Sequence, residues 1–339
     1  MRSAWTPAPW VEEHRDGVSF ALHVFPIDTP ADPAAHLLAA GRLAEDLGFD
    51  AFFVGDHPAW ALDPWLHLAA LAVTTRRIAL GVNVCCALYR HPVLTARLAA
   101  DLDNLSGGRL ILGLGNGWDA NEFANLGLPF LPARQRQAAL AEAIEIIRGV
   151  WGDEPFSFEG QHFRCAGAHV SPLPLQRPSP PIMIAGAGER FTLRQVARSA
   201  DACNMMQIDP FGGGLLSPEA VANKLAVLHR HCEEIGRPFD TVLRTYTTGW
   251  TILAKDEAAL QAKLAHYFPE GIEQRYQCAW RDYVFHATPD RAIAHFRALI
   301  EAGIQYFIVE TMDARDHDTI RLLATEVIPA IGMAGSQRG

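Results

Sequence analysis

The chain has 339 residues, 49% of them apolar, enough for a large core in one big domain or two ordinary ones. Its formal net charge is -9 and its basic residues are scattered, which excludes binding to a nucleic-acid backbone as its main role. No apolar run approaches the ~20 residues that span a bilayer, and the opening MRSAWTPAPWVEEH lacks the apolar centre of a signal peptide.

In chain order, short apolar runs alternate with longer segments of helical period. The first strand is VSFALHVF (18–25), followed by a helix over 34–47 that Gly48 stops. AFFVG (51–55) leads to a helix over 64–74, IALGVNVC (78–85) to one over 92–105, and RLILGLG (109–115) to a long one over 133–151. After an irregular, proline-rich insert over 155–181 the rhythm resumes with IMIAG (182–186), a helix over 192–199, ACNMM (202–206) and a helix over 218–235. VLRTYTTGWTIL (242–253) precedes a second, largely helical insert over 256–286. A helix over 290–302, QYFIVE (305–310) and a helix over 317–331 complete the chain. Strands that are apolar without alternation imply a parallel sheet covered by helices. Eight strand–helix units and no composition break predict an α/β fold: one (β/α)8 TIM barrel spanning 1–339, with inserts near 155–181 and 256–286. An open doubly wound sheet with an added domain is the other option.

The six cysteines form no CxxC pair, the adjacent Cys85 and Cys86 make a poor disulfide, and there is no HExxH. His229 and His231 are spaced to point to different faces of a helix. The expectation is a cytoplasmic protein with free thiols and no metal.

Chemistry concentrates at strand ends. The segment GLGNGWDANEF (113–123) has the glycines of a dinucleotide loop, but it follows the fourth strand and lacks the third glycine at the right spacing. In a barrel it lies instead at the C-terminal mouth, where glycines let a planar ring approach the backbone. The second strand ends in Asp56 and His57, the latter a natural acid/base near neutral pH, although a lone histidine there is more often solvent-facing. The third ends in Cys85, Cys86, Tyr89 and Arg90, which also read as a loop with buried small thiols. The fifth leads through AGAGER (185–190) into a helix N-terminus, a place suited to phosphate. Together these ends describe a pocket for a phosphorylated planar cofactor.

The runs GFDAFFVGDH, TTRRIALGV, YRHPVLTARLAADLDNLSGGRLILGLGNGW, EFANLGLPF, EAIEIIRGVW and AGAGERFTLRQVARSADACN resemble the bacterial luciferase-like flavin enzymes. The branch they look most like is the deazaflavin-dependent oxidoreductases, which use coenzyme F420. The resemblance covers residues 19–331 and is most specific in LSGGRLILGLGNGW and GERFTLRQVARSADACN. It implies a (β/α)8 barrel, hydride transfer to or from a small organic substrate, and a homodimer. By position it places Asp56 and His57 beside the reacting ring, and Val84, Cys85 and Cys86 in a bulge beneath it that often contains a non-proline cis peptide. Asn121 would help hold the ring, and Gly186, Ala187, Gly188 and Glu189 would form the phosphate loop. His57 would act as acid or base or orient the substrate, with Glu122 as the alternative acid. His23, Trp60 and Trp118 would line the substrate pocket. A glutamate found in some sugar-phosphate dehydrogenases of this branch falls at Trp118, which weakens the case for a sugar phosphate, and Ala87 replaces an often polar bulge residue. An FMN-dependent monooxygenase is the first alternative, and a non-catalytic flavin-binding protein the second.

Overall fold

Strands buried on both faces need helices outside and a filled interior. The computed structural model describes residues 5–24, 32–59, 61–209, 214–269, 284–311 and 313–335, and in it eight parallel strands close into a barrel. They are β1 (Ser19–Val24), β2 (Ala51–Val54), β3 (Ala79–Cys86), β4 (Leu110–Gly115), β5 (Ile182–Ala185), β6 (Ala202–Met206), β7 (Leu243–Leu253) and β8 (Tyr306–Thr311). Each pairs with the next, and β8 returns to β1 with Ser19 opposite Tyr306 and Val24 opposite Thr311. The helices between them are α1 (Pro33–Asp46), α2 (Pro64–Thr74), α3 (Pro92–Ser106), α4 (Ala133–Val150), α5 (Thr192–Ser199), α6 (Pro218–Glu234) and α7 (Pro289–Glu301); α8 (His317–Leu322) follows β8. Several start at a proline behind a capping side chain: Asp63 accepts from the amides of Trp65 and Leu66, and Ser217 from that of Ala220. Gly48, at φ +81°, follows α1 and turns the chain into β2.

Alternation along the strands sorts the core. Phe20, Leu22, Val24, Phe52, Val54, Leu112 and Ile184 join a cluster between sheet and helices, while Ala21, Phe53, Ile111, Met183, Ala202 and Ile308 join another inside the barrel. A helix not expected from the sequence, Pro9–His14, adds Trp10 and Val11 to the inner cluster. The Trp10 and Tyr306 rings meet edge to face at 5.2 Å. His14 bonds Asp50 at 3.0 Å and Ser19 at 2.9 Å, and the Tyr306 hydroxyl donates to the same Asp50. The N-terminal end of the barrel is therefore plugged, which leaves the opposite end for chemistry.

Both inserts hold more structure than expected. The first contains an antiparallel hairpin, Phe156–Glu159 with Arg164–Ala168. Its turn is pinned to α4 by Glu142, whose carboxylate accepts from the amides of Gln161, His162 and Phe163 at 2.9, 2.9 and 3.0 Å. In the second, the helix Glu257–Tyr267 is as expected, but Val284–Ala287 is a strand; residues 270–283 lie outside the described residues. The eleven residues of β7 run past the barrel, and the projecting end, Trp250–Leu253, presents an edge that this strand pairs with.

β3 and β4 break the regular ladder. Their register shifts between Val82 and Cys85, where the Asn83–Val84 peptide is cis. The bulge throws the Val84 side chain across β4. A Cβ at Gly113 would stand 2.2 Å from the Val82 carbonyl oxygen and 2.9 Å from Val84, and one at Gly115 would stand 2.8 Å from Val84. We expect Gly113→Ala to destabilise by about 1–3 kcal/mol or more, because the nearest obstacle is backbone. Gly17→Ala, where no atom lies within 4 Å, should change little. Urea unfolding of the two variants against wild type checks this, and equal midpoints for all three would contradict it.

Candidate active site

The C-terminal ends of β2, β3 and β4 meet through two buried carboxylates. Past β2 the chain runs through Asp56 and His57. Asp56 is 2% exposed, a costly place for a charge without partners. Arg90, delivered by the loop after β3, grips it with two hydrogen bonds of 2.6 and 3.0 Å, and the Cys86 amide donates to it at 3.3 Å. Burial works against the Arg90 charge, but the bond to Asp56 outweighs it and drives the guanidinium pKa further up. Both oxygens of Asp56 are thus engaged by protein, and the aspartate ties the β2 end to the β3 bulge.

The second carboxylate is Glu122, 1% exposed. It sits on a short helix, Ala120–Asn125, in a segment that reads as loop in the sequence; Asp119 caps it by accepting from the Asn121 amide at 2.9 Å. Three donors converge on Glu122. His57 Nδ1 lies 2.9 Å from Oε2, the Tyr89 hydroxyl 2.6 Å from the same oxygen, and the Ala59 amide 3.3 Å from Oε1. Burial raises the Glu122 pKa, but the bonds from His57, Tyr89 and Ala59 outweigh it and hold the carboxyl below its ordinary value. An ionised carboxylate only accepts, so Nδ1 is the protonated nitrogen of His57 in this pair. The Trp118 ring lies edge-on to His57, centroids 6.0 Å apart, and is half exposed. Asn121, one residue from Glu122, is exposed.

The glycines of GLGNG receive a steric explanation. Gly113 and Gly115 make room for Val84; Gly117, at φ +75°, has Phe123 2.7 Å and Cys86 Sγ 3.0 Å from where its Cβ would be. Burial, with Asp56 nearby, pushes the Cys85 thiol well up, and burial pushes Cys86 up to about 12. Both are neutral thiols at physiological pH, small packing groups and not nucleophiles.

Below this level the barrel interior is polar. His23 Nδ1 lies 2.9 Å from Glu310 Oε2, and Asn83 Nδ2 lies 3.4 Å from the same nitrogen. Asn204 Nδ2 donates to Asn83 Oδ1 and to Thr247 Oγ1, both at 3.0 Å, and Thr245 donates to Asn204 Oδ1 at 2.9 Å. Asn83, Thr245, Thr247 and Glu310 were not singled out from the sequence. A signal was present: polar residues at alternate positions of a strand, Thr245 and Thr247, mark its inward face. His23 does face this interior.

The loop after β5 stands on the far side. Gly186 has φ +119° and donates to the Asn204 carbonyl at 2.9 Å. A Cβ at Gly188 would stand 3.1 Å from Thr192 Oγ1. Helix α5 begins here with Phe191 at its N-cap and no side-chain cap. Lys224 braces the loop from α6, 3.1 Å from the Ala187 carbonyl and 3.5 Å from Glu189, whose own side chain is exposed. Trp60 lies outside the described residues. Among the described residues no three potential metal ligands come together, and no helix is long and apolar enough to cross a membrane.

A family model described as luciferase-like monooxygenase matches residues 17–315. The chain is 36% identical over 168 residues to the F420-dependent glucose-6-phosphate dehydrogenase of Microbacterium testaceum, covering 46% of this chain and 48% of that one. It is 35% identical over 195 residues to the F420-dependent hydroxymycolic acid dehydrogenase of Mycobacterium tuberculosis, covering 55% and 51%. The matches thus span about half the length of these two dehydrogenases. Among solved structures, the F420-dependent tetrahydromethanopterin reductase of Methanopyrus kandleri superposes with a TM-score of 0.76 at 22% identity, over 93% of this chain and 99% of the other. The oxygenating component of 3,6-diketocamphane monooxygenase from Pseudomonas putida, in complex with FMN, superposes with 0.74 at 18%, over 93% and 99%. At these identities the superpositions establish the fold.

The depressed Glu122 pKa has a signed consequence. The stability it contributes is complete above the ordinary carboxylate value of 4.5 and is lost as pH falls through the lower folded value. Glu122→Gln should therefore cost about 1–3 kcal/mol at neutral pH, and the gap to wild type should narrow on acidification. Melting temperatures of both proteins across that range test this; a gap independent of pH would refute it.

Proposed function

Because the chain belongs to the luciferase-like monooxygenase family, we propose that it is an F420-dependent oxidoreductase, moving a hydride between the deazaflavin and a small organic substrate. The observation that carries the reading is the His57–Glu122–Tyr89 cluster at the barrel mouth, directly beside the β3 bulge. The choice of F420 rests on the two relatives whose names carry it, at 35–36% identity over about half of the chain. The FMN-bound 3,6-diketocamphane monooxygenase component supports an FMN-dependent monooxygenase as the second reading.

The residues present fit such a cofactor. An α5 N-terminus without a side-chain cap, entered through Gly186 and Gly188, suits a phosphate. When bound, F420 supplies a two-electron hydride carrier. The protein's part is to orient and to handle the proton. Val84, half-buried on the inner side of the bulge, would offer an apolar surface to a ring; the buried, neutral Cys85 and Cys86 pack behind it, and the Arg90–Asp56 pair keeps the bulge in place. With Nδ1 committed to Glu122, His57 exchanges a proton with substrate through Nε2. Glu122 stays charged and steadies the imidazolium, so it supports His57 instead of donating the proton. Half-exposed Trp118, and Met206 at the end of β6, give the mouth apolar walls.

Titration with F420 and with FMN, followed by absorbance and fluorescence, tests the reading. We expect F420 to bind and FMN to be rejected; the reverse would establish the second reading. With F420H2 and a panel of enones and imines, His57→Ala should lower turnover by about 10²–10⁴-fold while cofactor affinity changes little. Wild-type rates in that variant would remove His57 from the chemistry.

The reading includes a homodimer. On neighbouring helices, Leu66 and Val73 of α2 and Leu94 and Leu105 of α3 are 72%, 58%, 58% and 48% exposed. Spacings of seven and eleven put each pair on one helix face, and such apolar surface favours a partner. Light scattering should give about twice the chain mass of 37.2 kDa, and the double variant Leu66→Glu, Leu94→Glu should be monomeric. A wild-type monomer would end this part of the proposal.

A further inference from the structure

We propose that Tyr89 is a positioning residue that weakens the hold of Glu122 on the His57 proton, making His57 a readier proton donor. The proposal deepens the function above and rests on it for its catalytic meaning.

The geometry that points to it is the sharing of one oxygen. His57 Nδ1 and the Tyr89 hydroxyl both reach Glu122 Oε2, at 2.9 and 2.6 Å, while Oε1 takes only the longer contact from the Ala59 amide. A short O–H···O⁻ bond draws negative charge toward its donor. In a site this buried, solvent does little to replenish that charge, so each donor reduces what the oxygen offers the other. Tyr89 is committed to the donor role, because burial and the Glu122 carboxylate both keep its phenol protonated. Its ring is fixed against Phe123, centroids 5.1 Å apart, and Phe123 belongs to the same short helix as Glu122.

Among the described residues, the charged and titratable groups next to the His57–Glu122 pair are Asp56, Arg90, Asp63 and Cys86. Asp56, the chain neighbour of His57, is neutralised by Arg90 through two hydrogen bonds. Arg90 also reaches Asp63 at 3.4 Å. Cys86, whose amide faces Asp56, is a neutral thiol. Glu122 is the carboxylate bonded to the His57 ring, and Tyr89 is the side chain placed to moderate it. A tyrosine that merely filled space here would leave the His57 titration unchanged when its hydroxyl is removed.

Tyr89→Phe removes the hydroxyl and keeps the ring. In cofactor-free protein, the NMR titration midpoint of the His57 ring signal should move up by about 0.5–1 unit, a fraction of the ~1–3 units that a full neighbouring charge produces. Glu122→Gln should move it down by about 1–3 units. If Tyr89→Phe does not fold, site-specific 3-fluorotyrosine at position 89, a stronger donor of the same shape, should move the midpoint down. A midpoint that stays within about 0.2 units of wild type, or moves the opposite way, overturns the proposal. Because this readout needs no cofactor or substrate, it stands even if F420 fails to bind. In the active enzyme, Tyr89→Phe should shift the pH profile of turnover in the same direction with cofactor affinity unchanged.

Discussion

The close approach of β3 to β4 at Val84 is the contact on which the site depends. Two paired strands cannot carry a bulge between them unless the facing residues leave room, and Gly113 and Gly115 do so by having no side chain. The bulge then aims the Cys86 amide at Asp56 and starts the loop that brings Tyr89 and Arg90 back over the β2 end. Remove that room and both buried carboxylates lose partners.

Those two carboxylates, with Glu310 deeper inside, show how the barrel sustains polarity in its interior. Asp56, Glu122 and Glu310 are each 8% exposed or less, and each has a cationic or hydrogen-bonding partner within 2.9 Å. Replacing such groups by apolar ones is often neutral or stabilising, so pairing alone is a poor reason to keep them. Their placement at one end, above an apolar layer plugged by Trp10 and Val11, follows the usual division of a barrel into a stability face and a chemical face. The three carboxylates also hold different things. Asp56 fixes backbone and an arginine, Glu122 fixes a histidine, and Glu310 meets His23 inside the barrel.

Much of this is legible in the sequence because it depends on local period and local turns. The eight strands, their helices and the mouth positions of His57, Cys85 and Cys86 follow from apolar runs, capping residues and a count of units. The resemblance to luciferase-like enzymes adds the bulge and its cis peptide, which the structure holds at Asn83–Val84. The glycine run belongs at the barrel mouth, as its place after the fourth strand implies, but its close approach is to Val84 and Phe123. The helix Pro9–His14, the hairpin in the first insert and the strand Val284–Ala287 leave no such signal, because each is short and exists only by docking on distant chain.

The sequence by itself determined a barrel, its open end and the candidates arrayed there, since periodicity and turn chemistry act over a few residues. It could not determine which candidates touch. Glu122 lies 65 residues from His57 and 33 from Tyr89, and His23 lies 287 from Glu310. Such pairs are decided by the register in which the barrel closes, where a shift of one residue would turn every inward side chain outward. Only the closed barrel made one oxygen of Glu122 the meeting point of a histidine and a tyrosine.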